Sequence, residues 1–340
     1  MSEGFVVAVV GATGAVGECL LSILEERRFP IRRLVPLASE RSRGIRLRFR
    51  GEDIPVQSLD EFDFSGVDIA FFSAGGAVSA VHAPRAAAAG AAVIDNTSHF
   101  RLDPDVPLVV PEVNADALAS WRRKRIIANP NCSTAQLMVV LAPLHRAAGI
   151  ERIQVATYQS VSGAGRSALE ELGQQTAALL NFREIAPKRF PVQIAFNLIP
   201  HIDAFEDNGY TREEMKMVWE SRKILSAPEL RVSATCVRVP VFYGHSEAVA
   251  IETKRALSVR EAREILARAP GVELVDEARD GGYPTPVTHA SGKDPVFVGR
   301  LRQDLSHPRG LMLWVVADNI RKGAALNAVQ IAEVLVKSYW

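Results

Sequence analysis

The residue best suited to covalent chemistry is Cys132, in the segment Asn129-Pro-Asn-Cys-Ser-Thr134. Pro130 favours the first turn of a helix, so Cys132 is predicted to lie at a helix N-terminus. Backbone N–H groups and the helix dipole at that position favour thiolate over thiol and can hold a developing oxyanion. The pattern predicts a cysteine nucleophile. Burial as a small apolar residue is the alternative, and we assign it to Cys19 and Cys236.

A thiol nucleophile needs an acid/base partner, and His245 is the strongest candidate. It follows a glycine turn in the segment Arg238-Val-Pro-Val-Phe-Tyr-Gly-His-Ser-Glu247. Arg238 belongs to an alternating strand, where an arginine must be exposed or paired with an anion. Among the other histidines, surface positions are predicted for His82, His145 and His307, and a role stays open for His99, His201 and His289.

A second kind of site is indicated by the glycines of Gly11-Ala-Thr-Gly-Ala-Val-Gly17. They follow an apolar strand, Phe5 to Val10, and precede a helical stretch, Glu18 to Arg28. A phosphate can approach backbone N–H groups at such a turn because no Cβ holds it off. The spacing predicts a dinucleotide-binding turn, and a tight turn that binds nothing is the alternative.

The end of the second predicted strand indicates which dinucleotide is bound. It reads Ala38-Ser39-Glu40-Arg41-Ser42, without the acid that usually ends this strand in NAD-binding proteins. Two hydroxyl donors and a guanidinium suit a 2′-phosphate, so the segment favours NADP. Glu40 could serve NAD if its side chain points inward.

Composition excludes several classes of protein. The 340 residues carry 40 Lys and Arg against 39 Asp and Glu, a formal charge of +1, which gives no basis for binding nucleic acid or an anionic membrane. Hydrophobic residues make up 48%, which excludes a disordered chain. Three cysteines without Cys-x-x-Cys or zinc-ligand spacing indicate no metal site and a reducing compartment. The first residues lack a basic region and Ile126 to Leu144 is too polar to span a membrane, so we expect a cytoplasmic protein.

The order of elements predicts two domains. Strands and helices alternate up to residue 128, with an alanine-rich helix regular from about Pro84, which indicates βαβ units and a parallel sheet. Longer alternating strands follow, among them Val232 to Phe242, and Ser258-x-x-Glu261 is a capping box. The predicted fold is α/β: a Rossmann-type NADP-binding domain, 1–128, completed by a C-terminal helix, 321–340, plus an α+β catalytic and dimerisation domain with a mixed sheet, 129–320.

These motifs together closely resemble the aspartate-semialdehyde dehydrogenase family over nearly the full length. The resemblance rests on segments 11–17, 129–134 and 238–247, on Tyr-Gln-Ser-Val-Ser-Gly-Ala-Gly (158–165), and on Asp-Asn-Ile-Arg-Lys-Gly-Ala-Ala-Leu-Asn-Ala (318–328). It implies a reductase that converts L-aspartyl-4-phosphate and NADPH to aspartate semialdehyde, NADP and phosphate, upstream of lysine, methionine and threonine.

The resemblance also implies roles for individual residues. Cys132 matches the family nucleophile, His245 the general acid/base, and Gln159 the glutamine that orients the acyl group. Arg238 matches the residue that binds the substrate α-carboxylate, and Glu213 the one that binds the α-ammonium, although the neighbouring Glu214 could take that place. Matches to the phosphate ligands are Arg101, Asn131 and Lys216.

The implied cofactor is NADP, and the implied assembly is a homodimer formed through the second domain. The expected partners are a small-molecule substrate and inorganic phosphate, with no nucleic acid and no membrane. The cofactor contacts predicted from the residues and the resemblance are Gly11, Thr13, Gly14, Ala15, Val16, Gly17, Ser39, Arg41, Ser42, Ser73, Gly75, Ser162, Gly163 and Asn319.

Three other functions are alternatives to this one. N-acetyl-glutamyl-phosphate reductase uses the same chemistry on an acylated substrate, but an amide offers no positive charge for Glu213. A short-chain reductase or epimerase needs Tyr-x-x-x-Lys, which none of Tyr158, Tyr210, Tyr243 and Tyr283 provides. A catalytically silent nucleotide-binding relative would bind the cofactor without turnover.

Overall fold

A computed structural model describes residues 4–340, which form two compact units. The first unit holds the residues up to Asn131 together with Ala324–Trp340, and the second holds Cys132–Gly323. Met1 to Glu3, on which the expectation of no secretory leader partly rests, lie outside the described residues.

The first unit is built on a six-stranded sheet in which all neighbouring strands run parallel. Its order is β5-β2-β1-β6-β7-β8. The strands are β1 (Phe5–Val10), β2 (Ile31–Ala38), β5 (Gln57–Ser58), β6 (Ile69–Phe72), β7 (Ala92–Asp95) and β8 (Ile126–Ala128), and a separate hairpin pairs β3 (Arg46–Phe49) with β4 (Glu52–Pro55). Because β2 and β6 flank β1 on opposite sides, the strand order reverses there, which is where parallel sheets bind ligands at their carboxyl ends.

Helices cover this sheet through one apolar core. They are α1 (Ala15–Glu26), α2 (Gly76–Ala88), α3 (Pro111–Asn114) and α8 (Leu326–Ser338), with 3-10 turns at Glu40–Ser42 and Ala115–Arg123. Leu20 and Ile23 of α1 share a buried cluster with Val7 of β1 and with Val329 and Ile331 of α8. The C-terminal helix therefore packs in the core of the unit that begins the chain.

The second unit is built on a mixed six-stranded sheet of order β10-β9-β11-β14-β13-β12. Its strands are β9 (Ile150–Gln159), β10 (Arg231–Arg238), β11 (His245–Thr253), β12 (Val272–Leu274), β13 (Val296–Gln303) and β14 (Gly310–Ala317). Its helices are α4 (Cys132–Ala148), α5 (Arg166–Leu180), α6 (Arg212–Ile224) and α7 (Val259–Ala267), with a 3-10 turn at Val161–Ala164 and π-helical turns at Pro286–Ala290 and Arg321–Ala325. The predicted fold class, a Rossmann-type parallel sheet plus a mixed-sheet domain, is confirmed.

Capping boxes begin two helices of the second unit. The predicted box at Ser258 and Glu261 is confirmed at α7. A second box, which the sequence analysis missed, joins Thr211 and Glu214 at α6. Both follow the Ser/Thr-x-x-Glu pattern, so the α6 box was available from the sequence.

Three predicted element boundaries differ from the structure by four or more residues. Helix α2 starts at Gly76 and not near Pro84, because the buried alanine face of the helix outweighs the one hydrogen bond that proline removes. Strand β10 ends at Arg238, before Pro240, which has no N–H to extend the pairing. The final regular helix starts at Leu326, because the preceding residues form a π-helical turn.

The described residues contain neither a membrane-spanning helix nor a cluster of metal-binding side chains. Between residues 4 and 340, no helix is long and apolar enough to cross a membrane. The same residues contain no group of three or more His, Cys, Asp or Glu side chains that could hold a metal ion.

Gly17→Ala is expected to destabilise the first unit. An added Cβ would lie 2.2 Å from the Gly11 carbonyl oxygen, so backbone must move, which costs about 1–3 kcal/mol as other overpacked sites do. Urea unfolding measures the effect. Gly14→Ala is the matched control, since its Cβ would lie 3.4 Å from the same oxygen and should cost less than about 1 kcal/mol. Equal midpoints for the two variants would contradict the close contact.

Candidate active site

The ends of four strands bring the polar residues of the second unit to one edge of the mixed sheet. Gln159 ends β9 and pairs with Arg238, which ends the parallel strand β10. His245 begins β11, which runs antiparallel to β9, and pairs with Ala317 at the end of β14. Asn319 follows two residues later, so residues far apart in sequence meet at this edge.

Cys132 is the first residue of α4 and is partly exposed, as the sequence predicts. Gly323 packs directly against it, because an added Cβ on Gly323 would lie 2.6 Å from the Cys132 Cβ. The next residue, Ser133, is buried and accepts a hydrogen bond from Gln159 Nε2 at 2.6 Å. These contacts fix the start of α4 relative to the end of β9.

Arg238 is a buried cation that forms no salt bridge with residues 4–340. Its guanidinium donates to the Ser160 carbonyl at 2.8 Å, and no ion pair joins it to any residue in the described chain. Burial lowers the pKa of Arg238, while Glu213 and Cys132 act in the opposite direction, which places both groups close to it. A guanidinium has five N–H donors, so this one retains donors for an incoming carboxylate.

His245 is fully buried and neutral. Burial, assisted by Arg238, lowers the pKa of His245 to about 3. The Ser160 backbone N–H donates to His245 Nδ1 at 3.1 Å, and a neutral imidazole that accepts at Nδ1 carries its proton on Nε2. Nε2 has no hydrogen-bond partner in the described chain, and Gly163 lies against it and against Arg238. The Nε2–H group is therefore a donor available to an incoming oxygen.

Asn319 organises the loops around His245. Its Oδ1 accepts from the hydroxyls of Ser160 and Ser162 and from the Gly244 N–H, each at 3.0 Å. Because a backbone N–H only donates, this contact fixes which side-chain atom is oxygen. Sequence analysis predicted Ser162, Gly163 and Asn319 as cofactor contacts and missed Ser160, which no motif distinguishes from its neighbours.

The neighbouring residues Glu213 and Glu214, both in the first turn of α6, make different contacts. Glu214 accepts from the Thr211 N–H at 2.8 Å and from the Cys236 N–H at 3.0 Å, so both its oxygens serve the helix cap and the edge strand. Glu213 instead accepts from Gln159 Nε2 at 3.1 Å and from Lys216 Nζ at 3.0 Å. The geometry thus favours Glu213 over Glu214 as the residue that faces the site.

Lys216 is held between carboxylates. Its ammonium lies 2.7 Å from Asp203 Oδ2 and 3.0 Å from Glu213 Oε2. Burial tends to lower the pKa of Lys216, but the two carboxylates outweigh it and hold the pKa above its ordinary value. Two of the three ammonium donors are used, which leaves one for a further anion.

Most of the predicted nucleotide-binding residues lie in the first unit, at the carboxyl ends of its strands, whereas Ser162, Gly163 and Asn319 lie in the second unit. Gly11 follows β1 with φ of 85°, and an added Cβ would lie 2.9 Å from Ser73 Oγ, at the end of β6. Gly14 caps α1 without a side chain, so the helix N-terminus carrying Ala15 and Val16 is open, with Thr13 beside it. Gly75 has φ of 98° at the start of α2. This turn fits a dinucleotide phosphate, because no side chain caps the N-terminus of α1 and its backbone N–H groups can be approached.

The loop after β2 contains the residues that discriminate between dinucleotides. Ser39 and Arg41 are exposed and Ser42 is partly buried, around a 3-10 turn. The Ser58 hydroxyl and Arg43 lower the pKa of Glu40, and Arg43 binds its carboxylate at 3.1 Å. Arg41 makes no hydrogen bond or ion pair with any residue from 4 to 340.

Two predicted phosphate ligands also lie in the first unit. Arg101 is buried and donates to the carbonyls of Asn129 and Asn96, each at 2.8 Å. Asn131 is buried directly before Cys132 in the chain.

The three histidines to which the sequence assigned no role contact neighbouring residues. His99 meets Phe100 edge-on, the His201 ring stacks on Phe205 at 4.3 Å, and His289 Nδ1 accepts from the Thr285 N–H at 3.3 Å. Cys236 is buried, and burial raises the pKa of its thiol well above the ordinary value.

Comparison with known proteins identifies the family. Residues 6–121 match the family model described as semialdehyde dehydrogenase, NAD binding domain, and residues 141–322 match semialdehyde dehydrogenase, dimerisation domain. A relative from Legionella pneumophila named aspartate-semialdehyde dehydrogenase is 59% identical over 339 residues, covering 100% of this chain and 98% of the relative. The chain belongs to the aspartate-semialdehyde dehydrogenase family. The resemblance predicted from the motifs is confirmed, and with it an oxidoreductase.

Solved aspartate-semialdehyde dehydrogenase structures share the fold. Aspartate semialdehyde dehydrogenase II from Vibrio cholerae, complexed with ASA, is 58% identical with a TM-score of 0.98, and 100% of both chains is covered. The Candida albicans aspartate semialdehyde dehydrogenase, solved with NADP, is 26% identical with a TM-score of 0.76 and covers 98% of each chain.

Gly323→Ala is expected to lower kcat by about 100-fold, because the new Cβ must displace Cys132 and a shift of about 1 Å has that effect on a reacting group. The assay for aspartate-semialdehyde dehydrogenase activity measures it. Gly173→Ala on α5 is the control, since nothing lies within 4 Å of its added Cβ and alanine favours the helix. Full activity of Gly323→Ala would show that the close contact does not position the thiol.

Proposed function

We propose that the protein catalyses the NADPH-dependent reductive dephosphorylation of L-aspartyl-4-phosphate to L-aspartate 4-semialdehyde through a thioacyl intermediate on Cys132. The observation that carries the proposal is the buried Arg238 guanidinium, which forms no salt bridge with residues 4–340, retains hydrogen-bond donors and lies within electrostatic reach of Glu213 and Cys132. A buried cation is costly unless an anion pairs with it, and the substrate α-carboxylate is such an anion. Family membership supports the same substrate.

Substrate binding uses the charged residues around Arg238. Arg238 binds the α-carboxylate, and Glu213, held by Gln159 and Lys216, binds the α-ammonium. Gln159 reaches Ser133 beside Cys132 and so orients the acyl group at the thiol. Arg101, Asn131 and the remaining Lys216 donor bind the phosphate, which departs as an anion.

The reaction then proceeds on the thiol. The Cys132 thiolate attacks the acyl carbon, the carbon–oxygen bond to phosphate breaks, and a thioester and inorganic phosphate form. NADPH supplies the hydride that reduces the thioester carbon. The resulting thiohemiacetal releases the aldehyde and regenerates the thiolate.

His245 acts on the oxygen of the reacting carbonyl. Its Nε2–H is fixed by the Ser160 N–H on Nδ1, so the neutral imidazole donates a hydrogen bond to the oxygen that becomes negative in each tetrahedral state. Burial of the ring excludes water that would hydrolyse the thioester.

The cofactor is proposed to be NADP, bound by Gly11, Thr13, Gly14, Ala15, Val16, Gly17, Ser39, Arg41, Ser42, Ser73, Gly75, Ser162, Gly163 and Asn319. Glu40 is engaged by Ser58 and Arg43, whereas Arg41 has no protein partner in the described chain, which supports a 2′-phosphate over a bare ribose. A comparison of activity with NADP and with NAD tests this assignment of the loop after β2.

The assembly and the cellular location are further parts of the proposal. We propose a homodimer formed through the second unit, which matches a dimerisation domain, and a cytoplasmic location. We also propose that the functional domains divide as 1–128 with 321–340, and 129–320.

The activity test is phosphate-dependent reduction of NADP by aspartate semialdehyde, run in parallel with NAD and with N-acetyl-glutamate semialdehyde. We expect turnover with the free-amine substrate and NADP. Cys132→Ser should abolish turnover and leave NADPH affinity unchanged, while Cys19→Ser should retain both. Near-normal turnover of Cys132→Ser would refute the nucleophile, and faster turnover of the acetylated substrate would favour the N-acetyl-glutamyl-phosphate reductase reading.

Substitution of the two glutamates separates binding from folding. Glu213→Gln removes the charge that faces the substrate amine, so KM for aspartate semialdehyde should rise about tenfold or more with little change in stability, as for one lost charged hydrogen bond. Glu214→Gln should instead weaken the α6 cap and lower the urea midpoint with KM nearly unchanged. The reverse pattern in steady-state kinetics and unfolding would assign the substrate contact to Glu214.

A further inference from the structure

Glu247 is a buried carboxyl group that the proposed mechanism does not use. It lies on β11, two residues after His245, so both side chains project from the same face of the strand. It is fully buried, and neither carboxyl oxygen has a hydrogen-bond partner in the described chain. A carboxylate in this state would be strongly destabilising.

Two neighbouring polar side chains each contain a buried oxygen without a hydrogen-bond partner in residues 4–340. Thr157, directly opposite Glu247 on β9, has a buried hydroxyl with no hydrogen bond within residues 4–340. The same holds for Oε1 of Gln136 on α4, whose side chain interacts with Glu247. Gln136 Nε2 lies 3.4 Å from the His245 carbonyl oxygen and donates to it. Gln136 thus connects Glu247 to the main chain of His245.

The surroundings of Glu247 do not favour a negative charge. Burial raises the pKa of Glu247 well above 4.5, and the opposing effect of Gln136 is smaller. The titratable groups on the packed elements include His245 on β11, Cys236 and Arg238 on β10, and Glu213, Glu214 and Lys216 on α6. No cation among the described residues acts on its ionisation.

We propose that Glu247 is held as a neutral carboxylic acid whose O–H donates to Gln136 Oε1, and that this pair positions His245. The carboxyl proton of Glu247 then gives Gln136 Oε1 the hydrogen-bond donor that it lacks, and buried polar groups are generally paired in this way. Glu247 is a positioning residue, because it acts on His245 through Gln136. The predicted effect of Glu247 on catalysis rests on the proposed role of His245. The protonation state of Glu247 does not depend on that role.

The protonation state makes stability depend on pH in a defined direction. Above pH 4.5 the unfolded chain loses this proton and the folded protein retains it, so the carboxyl makes folding less favourable as pH rises toward its folded pKa. Glu247→Gln keeps the shape and an N–H donor but cannot titrate. Its urea midpoint should therefore rise relative to wild type between about pH 5 and about pH 8.

Glu252→Gln is the matched control on the same strand. Arg152 lowers the pKa of Glu252, with a contact of 2.7 Å, so this carboxylate is ionised in the folded protein. The control should lose stability relative to wild type and show no gain with pH. A difference in midpoint between Glu247→Gln and wild type that stays constant from about pH 5 to about pH 8 would overturn the neutral carboxyl.

Kinetics test the positioning role. Glu247→Gln should keep kcat within about twofold, since the donor to Gln136 is retained, while Glu247→Leu should lower kcat about tenfold or more with KM nearly unchanged. Loss of kcat in Glu247→Gln equal to that of Glu247→Leu would overturn the role of a neutral donor. An inactive wild-type protein would instead overturn the proposed function, and the unfolding experiment would still decide the state of Glu247.

Discussion

The burial of the Arg238 guanidinium without a salt bridge to any residue of the described chain is the constraint on which the rest of the second unit depends. Removing a charge from water costs several kcal/mol, and one hydrogen bond to the Ser160 carbonyl offsets little of it. The protein retains this unfavourable arrangement because the ends of β9, β10 and β11 hold the side chain in place. A site of this kind is prepared for an anion before the anion arrives.

Ser160 links the cation to the neutral imidazole. Its carbonyl accepts from Arg238 and its N–H donates to His245, so one peptide segment orients both groups. The same burial that makes Arg238 a strong binding group prevents His245 from taking up a proton. The site therefore combines one permanent cation with a neutral donor, which suits a reaction that first binds a carboxylate and then develops charge on a carbonyl oxygen.

Much of the candidate site could be predicted from short segments. The helix N-terminus at Cys132 and the turn at Gly11 follow from residue types over a few positions, because proline and glycine restrict or extend the backbone locally. The choice between Glu213 and Glu214 could not be made in this way. It depends on the Cys236 N–H of an edge strand that is remote in sequence. Gly323 was missed for the same reason, since only the folded chain places it against Cys132.

The sequence by itself determined the fold class, the family, the glycine turn and the cysteine at a helix start, because these depend on local backbone preferences and on motifs in a fixed order. Tertiary structure alone decided which nitrogen of His245 carries the proton, which glutamate faces Gln159, and that Glu247 has no charged partner in residues 4–340. Hydrogen bonding and burial set these properties, and both arise from strands that meet only when the sheet has formed.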